Sequence, residues 1–509
     1  MSEIQTDGII RDPNPGEWVA EPLSNTNDDL SDIPYISPTP GEIPIIAQAP
    51  IPQSFHSIFS SVPEERLQQT KDYQQHFRTI ATSLRDSGFN ATLYGDAFEL
   101  MDAMTDASAN AGVNVILNPV WLHDSPDHTK AVLDHYKGKA QPVAWQIFDQ
   151  PKFYDWGNLM AETAPDNLIP EDQACNTLSV ALNMVRDLDS SKMAFFNLAA
   201  PEIKQGEVNP VEWIGSCDRY EGYLTALDGL YTPPLWSYDL YPFIITPGTV
   251  VTSTHPADVR YDHFYRYLGC FGKISAITRR PFWAYCMCQG HSYWEKDSDT
   301  GVLTKRWIQP VPTAGMLRFE AFNALAFGAQ GIVYWCYGQQ RNASPNAEGL
   351  RFDRGPLDFS VKGEGVDRTI TPVKGNVWNA VKQVNSEIRN FSNIFLGCTF
   401  VSAGQVGKAY GGLPLISGAV AGVKVVSTGK EGVLVTRIDN NGYEYVVIVN
   451  HDPFNKQEVI CILYKGREYI VSMPGQADQD CSPGNTTSFF LRRTLKEGGY
   501  LIIRTKEIS

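Results

Sequence analysis

The feature that most constrains this chain is a sustained alternation. Short apolar runs occupy residues 43–49, 89–94, 113–119, 143–151, 193–198, 235–242, 281–289 and 331–337, their starts spaced roughly 24 to 50 residues apart. A segment of helical period lies between or after them. Tyr73, Phe77, Ile80, Ala81 and Leu84 line one helical face, Leu178, Ala181, Leu182 and Val185 another. Phe264, Tyr267, Leu268 and Phe271 mark a later helix, and Val377, Val381, Val384 and Ile388 the last. Runs that are apolar on both faces belong to parallel strands covered by helices. Eight such units predict an α/β fold, a (β/α)8 TIM barrel. An open doubly wound sheet would carry a Gly-rich turn after its first strand, and none is present.

The pattern changes after about residue 397. The runs 433–438 and 443–449 flank Asn440-Asn441-Gly442, a strong hairpin signal. Further short strand-like runs follow at 459–463, 487–491 and 500–504 with no helical period between them, so 398–509 is expected to be a small antiparallel β-sandwich. At the other end, residues 1–40 are rich in Pro, Asn, Asp and Ser and read as an extended arm or linker. The barrel then spans 41–397. The arm holds eight acids and one Arg, seven of the net −15 charges. Such a balance argues against nucleic acid and anionic membrane surfaces, which need a basic face. No run of about 18 apolar residues occurs, so no membrane-spanning segment is expected. No charged-then-apolar leader opens the chain, so the expectation is a periplasmic, cell-surface or secreted protein with its leader removed, with a cytoplasmic one as the alternative. Cys286, Cys288 and Cys336 sit in apolar runs and read as buried thiols, whereas Cys461 and Cys481 could pair in an exported protein. No CxxC and no His cluster at ligand spacing is present, so neither a metal nor another cofactor is expected.

Function is signalled at the strand ends. Gln48, Asn118, Asp149 with Gln150, Asn197, Asp239, Gln289 with His291, and Tyr337 close seven of the eight runs. The carboxyl ends of barrel strands are where side chains enter the mouth. Tryptophans and tyrosines interleave with them. Trp145, Trp236 and Trp283 lie deep enough to be core, while Trp121, Trp156, Trp294, Tyr241 and Trp335 are placed to stack on a sugar ring. Candidate substrate-binding residues are therefore Gln48, Asn118, Trp121, Trp156, Asn197, Tyr241, Gln289, Trp294, Trp335 and Tyr337.

Four motifs carry a resemblance. Asp149-Gln150-Pro151, the run from Trp236 to Pro242, Pro281-Phe282-Trp283-Ala284 with Gln289 to His291, and the run from Leu325 to Ile332 are similar to those of retaining glycoside hydrolases of the beta-galactosidase-like TIM-barrel superfamily. Within it the likeness is to poorly characterised glycosidases of gut Bacteroidetes. It covers roughly residues 43–395 and implies a carbohydrate, an oligosaccharide or polysaccharide, as substrate. In those relatives strand four ends Asp-Glu-Pro, with the Glu as general acid/base, and strand seven ends in the nucleophilic Glu. This chain has Gln150 and Gln289 at those positions, and an amide supplies no proton.

The carboxylates left near the mouth are Asp149, Asp239, Glu295, Asp297 and Glu320. Asp149 is expected as acid and Asp239 as base or nucleophile, with His291 carrying a proton or holding a sugar hydroxyl. Asp149 could equally be an acceptor for loop N–H groups, and Glu320 a helix-surface or ion-paired residue. Three readings of the whole follow: a glycosidase with an atypical catalytic set, a glycan-binding barrel that has lost its acid, or a protein in which Gln150 is an introduced substitution.

Overall fold

A computed structural model describes residues 18–19, 35–52, 73–95, 98–119, 126–149, 182–199, 232–245, 257–340, 346–362, 369–427 and 429–508, with a few further positions between 221 and 252. Eight parallel strands close into a barrel: β1 Ile45–Gln48, β2 Ala91–Tyr94, β3 Asn114–Leu117, β4 Ala144–Asp149, β5 Met193–Ala199, β6 Trp236–Asp239, β7 Phe282–Met287 and β8 Gly331–Trp335. Each strand pairs with its chain neighbour, and β8 returns to β1 through Ile332–Ile45, Val333–Ile46 and Tyr334–Ala47. The surrounding helices include α1 Tyr73–Asp86, α2 Phe98–Ala111, α3 Pro126–Tyr136, α4 Tyr261–Thr278, α5 Ala314–Ala326 and α6 Trp378–Asn390. Of the helical face expected at Leu178, Ala181, Leu182 and Val185, the first two positions lie outside the described residues.

The period-two alternation of each strand divides its side chains between two cores. Ile46, Leu93, Ile116, Ala144, Phe195, Leu235, Tyr285 and Val333 point into the bore, where Trp283 spans the lower part. A side chain on Gly331 would sit 2.4 Å from the Trp283 ring, so glycine at the start of β8 is what admits that indole. Tyr35 meets the same ring edge-on from below, at 6.5 Å between centroids. The opposite faces, with Trp145, Ile147, Trp236, Tyr238 and Tyr334, pack against the helices. Trp145, Trp236 and Trp283 are all fully buried, as expected for core.

Two insertions depart from the sequence reading. The stretch after β7 is a hairpin of His291–Lys296 and Leu303–Gln309, an element the strand–helix alternation does not announce. Gly349–Phe352 adds to it as a third strand, and a second hairpin, Leu357–Lys362 with Thr369–Lys374, precedes α6. The hairpin signal was there in Asp299-Thr300-Gly301 between two aromatic runs. Asp297 organises that turn, its Oδ1 accepting from the backbone N–H of Asp299 and Thr300 and from the Thr300 hydroxyl.

The C-terminal region is a sandwich of a seven-stranded and a four-stranded antiparallel sheet. Val433–Asn440 and Tyr443–Asn450 form the expected hairpin, with Asn441 and Gly442 both at positive φ. Trp18–Val19 of the N-terminal arm pairs with the edge of the larger sheet at Ala403 and Ser402. Tyr500 fixes the sandwich to the barrel, stacking on Phe322 of α5 at 3.5 Å and edge-on to Phe391 at 5.5 Å. Cys461 and Cys481 are both free thiols, so the pairing considered for them is not formed. Among the described residues no helix is long and apolar enough to cross a membrane.

Candidate functional site

The bore changes character along its axis. Above the apolar layer lies a level of neutral polar groups, all nearly excluded from solvent: Gln48, Asn118, Gln146, Asn197, Ser237 and Tyr285. Lateral hydrogen bonds link most of them. Asn118 donates through Nδ2 to Gln146 Oε1 at 3.3 Å, and Gln146 donates through Nε2 to the Tyr285 hydroxyl at 3.2 Å. Ser237 donates to Asn197 Oδ1 at 2.8 Å. Gln48 lies one step past Ala47, beside the strand that continues from Tyr334 to Trp335. A floor of this kind, with donors and acceptors but no formal charge, suits hydroxyl groups better than phosphates or carboxylates.

An aromatic wall rises from one side of the floor. Trp335, at the end of β8, stacks with Tyr241 at 5.8 Å and 27°. The His291 ring meets Trp335 edge-on at 5.0 Å, and Phe352 touches both at 5.6 and 5.7 Å. Trp335 and Tyr241 are half-buried, so part of each ring is open. Burial pushes the His291 pKa down to about 4, which leaves the imidazole neutral at neutral pH. A neutral imidazole offers one N–H donor and one basic nitrogen, the groups needed to hold a sugar hydroxyl or take up a proton from it.

Asp239 ends β6, half-buried, on the face shared with Ser237 and Leu235. The backbone of Asp149 ends β4 in register with Asn197, after an irregularity between Gln146 and Phe148 that shifts the pairing by one residue. Gln150, Trp121 and Trp156 lie outside the described residues.

Other candidates are placed elsewhere. Gln289 is fully buried and both ends of its amide are engaged: Nε2 donates to the Asp353 carbonyl, and Oε1 accepts from Cys336 Sγ at 2.6 Å. It anchors the end of β7 to the inserted strand rather than facing a ligand. Tyr337 lies just past β8 and turns outward, its hydroxyl meeting Ser83 at 2.7 Å, Ser87 at 3.1 Å and the Trp378 indole N–H at 3.1 Å. It belongs to the helix layer. Trp294 sits on the far face of the inserted sheet from His291, with its N–H on Ser292 and the Arg351 guanidinium 4.1 Å from its ring. Glu320, expected on a helix surface, is buried behind β7. One oxygen accepts from the Met287 N–H at 3.3 Å, and burial raises its pKa well above the carboxylate range.

Three floor residues went unread in the sequence: Gln146, Ser237 and Tyr285. The available signal was an amide or hydroxyl at an inward position of an otherwise apolar run, two or three residues before the strand tip. Among the described residues no group of three or more His, Cys, Asp or Glu is gathered to hold a metal ion.

No family model and no curated protein matches the chain. Among solved structures, a catalytic mutant of a GH42 beta-galactosidase from G. stearothermophilus superposes with a TM-score of 0.49 at 10% identity, covering 93% of this chain and 100% of that one. The cold-adapted beta-galactosidase from a Rahnella species gives 0.43 at 11% identity, over 92% and 99%. The endo-beta-1,4-mannanase from Thermotoga petrophila gives 0.38 at 10% identity, over 89% and 97%. The fold assignment rests on the closed barrel and the sandwich themselves.

Proposed function

We propose that the mouth of this barrel binds a saccharide and that the protein is a glycoside hydrolase with Asp149 and Asp239 as its carboxylate pair. One observation carries the reading: an uncharged floor of amides and hydroxyls lies beneath the half-open Trp335–Tyr241 stack. Sugar rings present apolar C–H faces to such aromatics and hydroxyls to such amides. The strand motifs support placing it in the glycoside hydrolase superfamily, and they alone point to the gut Bacteroidetes type. The second reading, a glycan-binding barrel without turnover, is favoured by Gln289, whose structural engagement leaves no carboxylate at the end of β7.

The test is a panel of aryl glycosides and plant or host glycans, offered to the unmodified protein and to Asp149→Asn, Asp239→Asn and Gln150→Glu variants. Turnover by the unmodified protein that falls at least a hundredfold in both Asn variants supports hydrolysis. Binding without turnover, with turnover gained in Gln150→Glu, supports the second reading. Absence of binding to every glycan by every variant removes both.

A further inference from the structure

We propose that Gln48 is the specificity-determining residue of the cleft, holding two adjacent hydroxyls of the innermost sugar ring; this rests on the carbohydrate reading above. Gln48 is 1% exposed, and neither its Oε1 nor its Nε2 meets a hydrogen-bond partner among the described residues. Its neighbours in the floor are engaged with one another: Asn118 with Gln146, Gln146 with Tyr285, Asn197 with Ser237. Gln48 is thus the floor amide with both a donor and an acceptor uncommitted.

Strand alternation sets where it points. Ile46, two residues earlier on β1, is in the bore, so Gln48 faces the bore one layer higher, at the level of the mouth. The next strand on one side ends in Trp335, whose ring is part of the aromatic wall. A sugar stacked on that wall would lower its ring hydroxyls onto the Gln48 amide.

The energetics argue against a structural role. A buried amide without partners is destabilising, and a leucine of similar size at this position would not be. Such groups are rare, and a ligand that completes their hydrogen bonds is one physical reason to retain them. The chemistry of the amide then defines the ligand. One face accepts and the other donates, which matches a vicinal diol in which one hydroxyl gives a proton and its neighbour receives one. A phosphate or carboxylate would satisfy Nε2 and leave Oε1 facing negative charge.

The experiment uses the full chain and titration calorimetry with galactose, glucose, mannose and xylose, then with monodeoxy derivatives of whichever sugar binds. Gln48→Leu should weaken that sugar about tenfold to a hundredfold, the value of two hydrogen bonds, while its Tm stays level or rises. Two of the deoxy sugars, those lacking the contacted hydroxyls, should bind unmodified protein weakly and lose little further affinity in the variant. Gln48→Glu keeps the size and loses the donor, so it should discriminate against only one of the two hydroxyls. Equal affinity of Gln48→Leu and unmodified protein for the intact sugar overturns the assignment, as does an additive loss for every deoxy derivative. If the unmodified protein binds none of the sugars or glycans, it is the carbohydrate reading that has failed, and this assignment goes with it.

Discussion

Glu320 offers the sharpest test of the barrel's internal electrostatics. It lies within α5, 1% exposed, with one oxygen on the Met287 N–H and the other without a partner among the described residues. The ionisable groups that face it are Cys286, Cys288, Tyr238 and Tyr334, each itself buried and pushed toward its neutral form. Among the described residues no cation is set beside it, and burial raises its pKa well above the usual carboxylate range, favouring the protonated carboxyl in the folded protein. In the unfolded chain the same group ionises near pH 4.3. Its contribution is therefore most favourable below about pH 4 and is lost progressively as pH rises toward the folded pKa. Holding the proton above about pH 4.3 is therefore a cost that grows with pH until the folded pKa is reached.

Gln is a neutral isostere of that protonated acid, so Glu320→Gln removes the penalty. Denaturant unfolding of both proteins between pH 4 and 8 should show the variant gaining on the parent as pH rises above 4.3, by at most about 1.4 kcal/mol per pH unit. The slope is the readout, because any packing difference adds a constant. A protonated-carboxyl infrared band at neutral pH should be lost in the variant. Parallel pH curves for the two proteins would refute the reasoning, since they would mean that Glu320 ionises alike folded and unfolded.

Three further outcomes are expected. His291, held down to about pKa 4 by burial, is neutral when folded but takes up a proton near pH 6.5 when unfolded, so it supports stability above pH 6.5 and loses about 3 kcal/mol of that support by pH 4; imidazole NMR titration should place the midpoint near 4, and His291→Gln should flatten that limb. Gly315→Ala would put a methyl 2.2 Å from the Pro453 carbonyl oxygen and 2.7 Å from Glu497 Cβ, forcing α5 away from the sandwich at about 1–3 kcal/mol, visible as a lower Tm and faster proteolysis between the domains. Gln289→Glu removes the donor to the Asp353 carbonyl and buries a carboxylate against it, so thermal unfolding should show a loss of about 2–3 kcal/mol, and glycoside assays no gain in turnover.

How far the fold could be read from the chain depended on whether a signal was local. The barrel strands were legible because each is apolar on both faces, a pattern few alternatives produce. Asn440-Asn441-Gly442 was legible because a two-residue hairpin needs positive φ at both central positions. The floor was legible only at the tips, in Gln48, Asn118 and Asn197. Gln146 was hidden because its partner Tyr285 is contributed by a strand on the other side of the barrel. Tyr337 misled for a local reason: alternation changes the face with every residue, and its hydroxyl meets α1 and α6 instead of the mouth. Gln289 shows the reverse, a residue at the expected level whose partners, Asp353 and Cys336, come from segments 64 and 47 residues away.

That engagement of Gln289 bears on the chemistry open to the cleft. A double displacement needs a carboxylate nucleophile within about 5 to 5.5 Å of the acid, and the place the strand motifs imply for it, the end of β7, is taken by an amide that ties two segments together. His291 beside it is neutral and gives no proton at pH 7. Asp239 remains as the carboxylate on the inner face of a described strand end, with β5 between it and Asp149. Without a nucleophile at the end of β7, hydrolysis would take the other route, in which one group activates water and the other protonates the leaving oxygen. Hydrolysis by this cleft should therefore invert the anomeric centre. Proton NMR of the first-formed sugar reads this directly, before mutarotation. Retention would mean that a nucleophile reaches the anomeric carbon after all, and the role assigned to Asp239 would have to be given up.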